Sequence, residues 1–116
     1  MSKRDPNVLV RQMLDHAEEV LSLMRGKTRC DLDTDRLLSL GVVRLMEVIG
    51  EAASRVPDTF RSQHLQIPWE QIVALRNRLI HGYDEIDFDV LWEILRGDLP
   101  DLVSSLRRIV GPYPAV

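Results

Sequence analysis

Between Leu38 and Val56 the apolar residues return at steps of four and three: Leu38, Val42, Leu45, Ile49, Ala52 and Val56. A seam with that period belongs to a helix, and its heptad-like spacing suits packing against a near-parallel or antiparallel neighbour. Leu37, Gly41, Val48 and Ala53 widen the apolar surface of this predicted helix, and Pro57 ends it. Asp33 or Thr34 is the expected cap at its start. Gly41 and Gly50 each cost about 1 kcal/mol of helix propensity relative to Ala. A glycine kept inside a helix is one mark of a close approach by another helix.

The same period runs through the rest of the chain. Asp5-Pro6 reads as a capping acid followed by Pro at the first helical position. Val10, Met13, Leu14, Ala17, Val20, Leu21 and Met24 then form one stripe, which predicts a helix over 6–25 with Gly26 as its stop. Lys27 to Asp33 is polar and reads as a loop. A short helix around Thr59–His64 would point Phe60 inward. Ile67-Pro68 starts the next helix, whose stripe is Trp69, Ile72, Val73, Leu79 and Ile80, and Gly82 breaks it. Asp87 caps a fourth helix with Phe88, Leu91, Trp92 and Leu95 facing inward. Gly97 and Pro100 interrupt that pattern, so either the helix kinks or a new one starts near Asp98 or Leu99. Leu102, Val103, Leu106, Ile109 and Val110 carry the stripe to Gly111-Pro112. No stretch alternates with period two, and no repeat is visible. The expected fold is all-α, an antiparallel bundle of four to five helices, with one domain filling residues 1–116.

Composition limits the function classes. The formal net charge of -3 provides no global field toward nucleic acid, so any contact with it needs a local basic patch. Of the 15 basic residues only Lys3 and Lys27 are lysines, and Arg favours planar, bidentate contact with phosphate or carboxylate. Cys30 is the single cysteine, which rules out an intramolecular disulfide and a cysteine-based zinc site, and a reducing cytoplasm is the expected compartment. No apolar run approaches the ~18 residues of a membrane span, so no membrane association is expected. His16 and His64 lack partners at metal-ligand spacing, and no metal or other cofactor is expected. Trp69 and Trp92 read as core or interface anchors, since 5% aromatic content is too low for a stacking-driven single-strand binder.

One stretch is dense in reactive side chains: Arg76-Asn77-Arg78-Leu79-Ile80-His81-Gly82-Tyr83. Arg76 falls near the centre of the apolar stripe. An unpaired arginine there would cost several kcal/mol, so it needs a carboxylate (Glu47 or Glu51), a cleft or an interface. Arg78 faces roughly the opposite way and is expected in solvent. His81, five residues after Arg76, lies about 140° around a straight helix. One straight helix therefore does not aim both at one point. Either the helix ends or deforms by His81, or two copies of the motif share a cleft in a twofold dimer. Asn77, four residues before His81, can orient the imidazole or contact a phosphate. Arg and His together suit phosphodiester cleavage. His moves a proton near neutral pH, and Arg offsets charge building on the phosphate. RNA carries its own 2′-hydroxyl nucleophile, so this chemistry favours RNA over DNA.

The motif resembles the signature of HEPN-domain ribonucleases: an Arg, four residues beginning with Asn, then His. His81-Gly82-Tyr83 resembles the HepT toxin branch, which carries a Tyr two residues after the His. Ile67-Pro68-Trp69, the Ile49-Gly50-Glu51-Ala52-Ala53 core and Asp98-Leu99-Pro100 look HepT-like too, so the resemblance spans nearly the whole chain. It implies a homodimeric helical bundle with the Arg–His motifs meeting at a cleft. It implies a metal-independent ribonuclease toxin whose antitoxin is a minimal nucleotidyltransferase able to transfer AMP to the motif Tyr. On that basis Arg76 and His81 are the catalytic pair, Asn77 supports them and Tyr83 is the modification site. Asp84, Glu85, Asp87 and Asp89 make the following segment acidic, a poor neighbour for an RNA phosphate. That segment motivates a second reading, a non-catalytic helical module that binds and regulates a nucleotidyltransferase. A third is a plain dimeric scaffold.

Overall fold

The computed structural model describes residues 5–81 and 85–111, with His81 described by its backbone alone. Helix α1 (Pro6–Met24) begins as the sequence requires, the Asp5 carboxylate accepting from the Asn7 amide at 2.8 Å. Its stripe of Leu9, Val10, Met13, Leu14, Ala17 and Val20 is buried. At the far end Gly26 takes φ 74°, the left-handed turn that glycine adopts without steric cost.

The polar stretch that follows is not all loop. Arg29–Thr34 forms a short helix, α2, opened by a capping box: the Asp31 carboxylate accepts from the Thr28 amide at 2.6 Å. Those bonds hold the Asp31 carboxyl below its usual range, the Thr28 backbone amide being the largest cause. Leu32 is the one α2 side chain driven into the core. Because α2 consumes Asp33 and Thr34, the next cap falls on Asp35, whose side chain accepts from the Leu38 amide at 3.1 Å.

Helix α3 (Arg36–Ser54) is the central rod. The seam buries Leu38, Val42, Ile49 and Ala52, with Val43, Met46 and Ala53 beside it. Leu37, expected to widen that surface, is 82% exposed. Past Pro57 come α4 (Asp58–Arg61) and a turn, shorter than the helix expected over Thr59–His64. Arg61 folds back onto the end of α3, donating from Nη2 to the Ala53 carbonyl at 2.8 Å and from Nε to the Val56 carbonyl at 3.0 Å. Its guanidinium also lies 5.9 Å from the centre of the Trp69 ring. One side chain thus bonds the Ala53 carbonyl in the last turn of α3 and the Val56 carbonyl just beyond it, and pins the start of α5 against them.

Helix α5 (Trp69–His81) buries Trp69 and Leu79. Ile72, Val73 and Leu75 are half-buried against the same core, but Ile80 is 41% exposed and leaves the expected stripe. The last column is continuous. Helix α6 (Phe88–Glu93), capped by Asp87 as expected, runs through a π-helical turn at Ile94–Asp98 into α7 (Leu99–Val110). In that turn the Leu99 amide reaches back five residues to the Ile94 carbonyl. Pro100 has no amide hydrogen and its ring would crowd the carbonyl four residues back. The wider turn absorbs this without ending the helix.

Four long helical columns thus form the fold of the described residues. Helix α1 rests on α3 and α7, α3 on α5, and α2 bridges α3 and α6. Helices α1 and α7 run antiparallel, since Glu18 pairs with Arg107 at 3.0 Å while Arg11 donates to the Gly111 carbonyl at 3.4 Å. Helices α3 and α5 do so too, with Ala53 near the start of α5 and Gly50 opposite Arg76. No helix among the described residues is long and apolar enough to cross a membrane.

Candidate active site

Arg76 sits where α5 crosses α3. The crossing is close because α3 presents Gly50 there. A Cβ at position 50 would overlap the Arg76 Cβ, come 2.8 Å from its Cγ and 3.2 Å from the Ile72 carbonyl oxygen. Gly41, with the same sequence signal, has nothing within 4 Å of the corresponding point. So of the two α3 glycines one is a contact surface and the other is not.

The guanidinium is fixed from two sides. Nη2 donates to Glu51 Oε2 in a short ion pair, and Nη1 donates to Asn77 Oδ1 at 2.8 Å. Of the two carboxylates expected to meet Arg76, Glu47 is instead engaged by Arg44 at 3.2 Å. Glu51 has a second partner, Arg55 Nη2, at 3.0 Å from its Oε1. The hydrogen bond from Arg76 is the main reason the Glu51 carboxyl lies below its ordinary range. The pair therefore contributes stability above the ordinary carboxylate range and loses it only as pH falls through that lowered value. The Arg76 side chain is 24% exposed and that of Glu51 39%, so solvent screens the attraction.

The other expected site residues lie at the end of the same helix. Helix α5 stays helical through His81, so positions 76 and 81 stand about 140° apart around its axis. Asn77 is exposed and turned back to Arg76. Arg78 is exposed, as expected. It lines a groove of about 650 Å³ between α3, α5 and α7, walled by Met46, Ile72, Leu75, Ile94, Leu99 and Leu102. Arg76 does not line this groove. Tyr83, Gly82 and Asp84 lie outside the described residues.

Part of the acidic run after the motif has structural work. The Asp87 carboxylate caps α6, accepting from the Asp89 and Val90 amides at 2.9 and 3.3 Å. Asp89 is held by Arg29 at 2.8 Å, and Arg29 also pairs with Asp33 at 2.9 Å and lies 5.8 Å from the Phe88 ring centre. Two of the four acids are therefore committed to α2 and α6. Sequence reasoning overlooked Arg55, although its spacing of four from Glu51 is a signal for a helical ion pair.

The family model described as Ribonuclease HepT-like matches residues 13–109. A candidate RNase of Methanocaldococcus jannaschii is 33% identical over 109 residues, covering 94% of this chain and 100% of that protein. A candidate ribonuclease HepT of Thermococcus cleftensis is 33% identical over 100 residues, covering 83% of this chain and 91% of the relative. A candidate RNase of Caldanaerobacter subterraneus subsp. tengcongensis is 29% identical, covering 92% of this chain and 96% of its own length. No solved structure matches the chain. With the family model matched across most of its length, the chain belongs to the Ribonuclease HepT-like family.

Proposed function

We propose that this chain is a metal-independent endoribonuclease, the toxin of a toxin–antitoxin system, with Arg76 and His81 as its catalytic pair. The observation that carries the reading is an arginine held on two sides at the first position of the motif, yet still partly open to solvent, in a chain of this family. In the proposed reaction His81 takes the proton of the RNA 2′-hydroxyl. The freed oxygen attacks the adjacent phosphorus, and the bond to the 5′-oxygen breaks as that oxygen gains a proton. The products are a 2′,3′-cyclic phosphate and a 5′-hydroxyl. Arg76 offsets the charge on the phosphate as it builds, and Asn77 keeps the guanidinium in place.

The spacing along α5 supports a site shared by two copies of the chain. Positions 76 and 81 diverge on one helix, whereas a twofold dimer can bring one protomer's arginine to its partner's imidazole. Two imidazoles in one cleft also provide both a base and an acid. A minimal nucleotidyltransferase is the proposed antitoxin, transferring AMP to Tyr83. An adenylyl phosphate there would repel the RNA backbone and block the cleft.

Two experiments test this. Protein purified without its antitoxin, and unmodified at Tyr83, is expected to cleave RNA in the presence of a chelator and to leave cyclic phosphate ends. A protein that binds a nucleotidyltransferase but leaves RNA intact under those conditions would favour the regulatory-module reading. Co-expression with the neighbouring gene product is expected to raise the intact mass by one or more adenylyl groups, and Tyr83→Phe is expected to abolish the gain. An unchanged mass would remove Tyr83 as the modification site.

A further inference from the structure

Glu51 does more than an isolated ion-pair partner would. Its two carboxylate oxygens are divided, Oε2 to Arg76 on α5 and Oε1 to Arg55 at the end of its own helix. A carboxylate paired with Arg76 alone would cancel the charge that a phosphate needs. Here one anion serves two cations, so the cluster keeps a net positive charge. The adjoining residue, Gly50, allows the Arg76 stem to lie against α3, where Glu51 can reach its guanidinium. The crossing and the carboxylate act on the same side chain. Glu47, one turn earlier, is occupied by Arg44 and is not a substitute.

We propose that Glu51 is a positioning residue, shared between Arg76 and Arg55, which fixes the Arg76 guanidinium at the α3–α5 crossing and leaves the cluster cationic toward an RNA phosphate. The inference rests on the ribonuclease reading for its link to catalysis, but not for the geometry.

The test pairs kinetics with nuclear magnetic resonance on the full-length chain. Glu51→Gln keeps the shape and removes the charge. It is expected to lower kcat about 10–100-fold, the scale of a misplaced reacting group, with a smaller change in KM. Glu51→Asp is expected to recover part of the loss. Arg55→Ala is expected to raise KM for RNA, because Glu51 then neutralises Arg76 alone. Arg44→Ala, one helix turn or more away and paired with Glu47, is expected to leave both constants unchanged. The guanidinium resonances of Arg76 report independently, showing hindered rotation in the parent and faster rotation in Glu51→Gln, where only the Asn77 bond is sure to remain. Parental kcat together with unchanged guanidinium resonances in Glu51→Gln would overturn the proposal. If the parent itself does not cleave RNA, the ribonuclease reading fails, and the guanidinium spectra alone decide whether Glu51 positions Arg76.

Discussion

Arg76→Ala is expected to lower RNA cleavage by about 100-fold or more while leaving the bundle folded. In the proposed mechanism the rate loss follows from removing a fixed donor aimed at developing charge, for which single deletions cost about 10²–10³-fold. Arg76→Lys is expected to rescue little, because an ammonium cannot engage Glu51, Asn77 and a phosphate with one planar group. Stability is expected to change by less than about 1 kcal/mol, since the ion pair is partly exposed and Glu51 retains Arg55. Single-turnover cleavage, with thermal unfolding as the control, checks both halves. A variant that is folded and fully active would remove Arg76 from the mechanism.

Gly50→Ala is expected to destabilise the fold, whereas Gly41→Ala is expected to stabilise it. Both replacements gain about 1 kcal/mol of helix propensity. At position 50 the added methyl meets the Arg76 stem and the Ile72 carbonyl, and overpacking of this kind costs about 1–3 kcal/mol. The two helices must part or Arg76 must turn away, so activity is expected to fall along with stability. At position 41 the methyl meets nothing, and the propensity gain stands alone. Equilibrium urea unfolding of the two variants beside the parent makes the comparison, and a Gly50→Ala protein as stable as Gly41→Ala would show that the crossing is looser than described.

The same two glycines show where sequence reasoning stops. In one dimension they carry the same signal, a glycine inside an apolar helical pattern. Only the partner helix separates them, and which α3 residue faces Arg76 depends on the register of α5 against α3. The choice between Glu47 and Glu51 was open for the same reason. Local features were legible. Asp5, Pro6 and Asp87 mark helix starts through bonds between near neighbours, and repeating apolar residues mark buried faces. Helix α2 escaped notice because it offers one buried side chain, Leu32, and so no period to detect, although Thr28 and Asp31 have capping-box spacing. Ile80 was misread because a stripe is an average, and the end of a helix can outrun the core beneath it. The need for a second chain or a helix end was inferred from spacing alone, and helicity through His81 keeps that angular separation in force.

Arg29, the partner of Asp33 and Asp89, also bears on the segment that follows the motif. It ties the start of α6 to α2, while buried Leu79 anchors the other side in the core. Between the end of α5 at His81 and Glu85 only three residues intervene, and an extended chain spans at most about 3.6 Å per residue. The described elements on either side, α5 and α6, are both fastened to the bundle. If the proposed adenylylation of Tyr83 is right, the transferring enzyme is expected to bring its own reactive centre to this edge of the bundle.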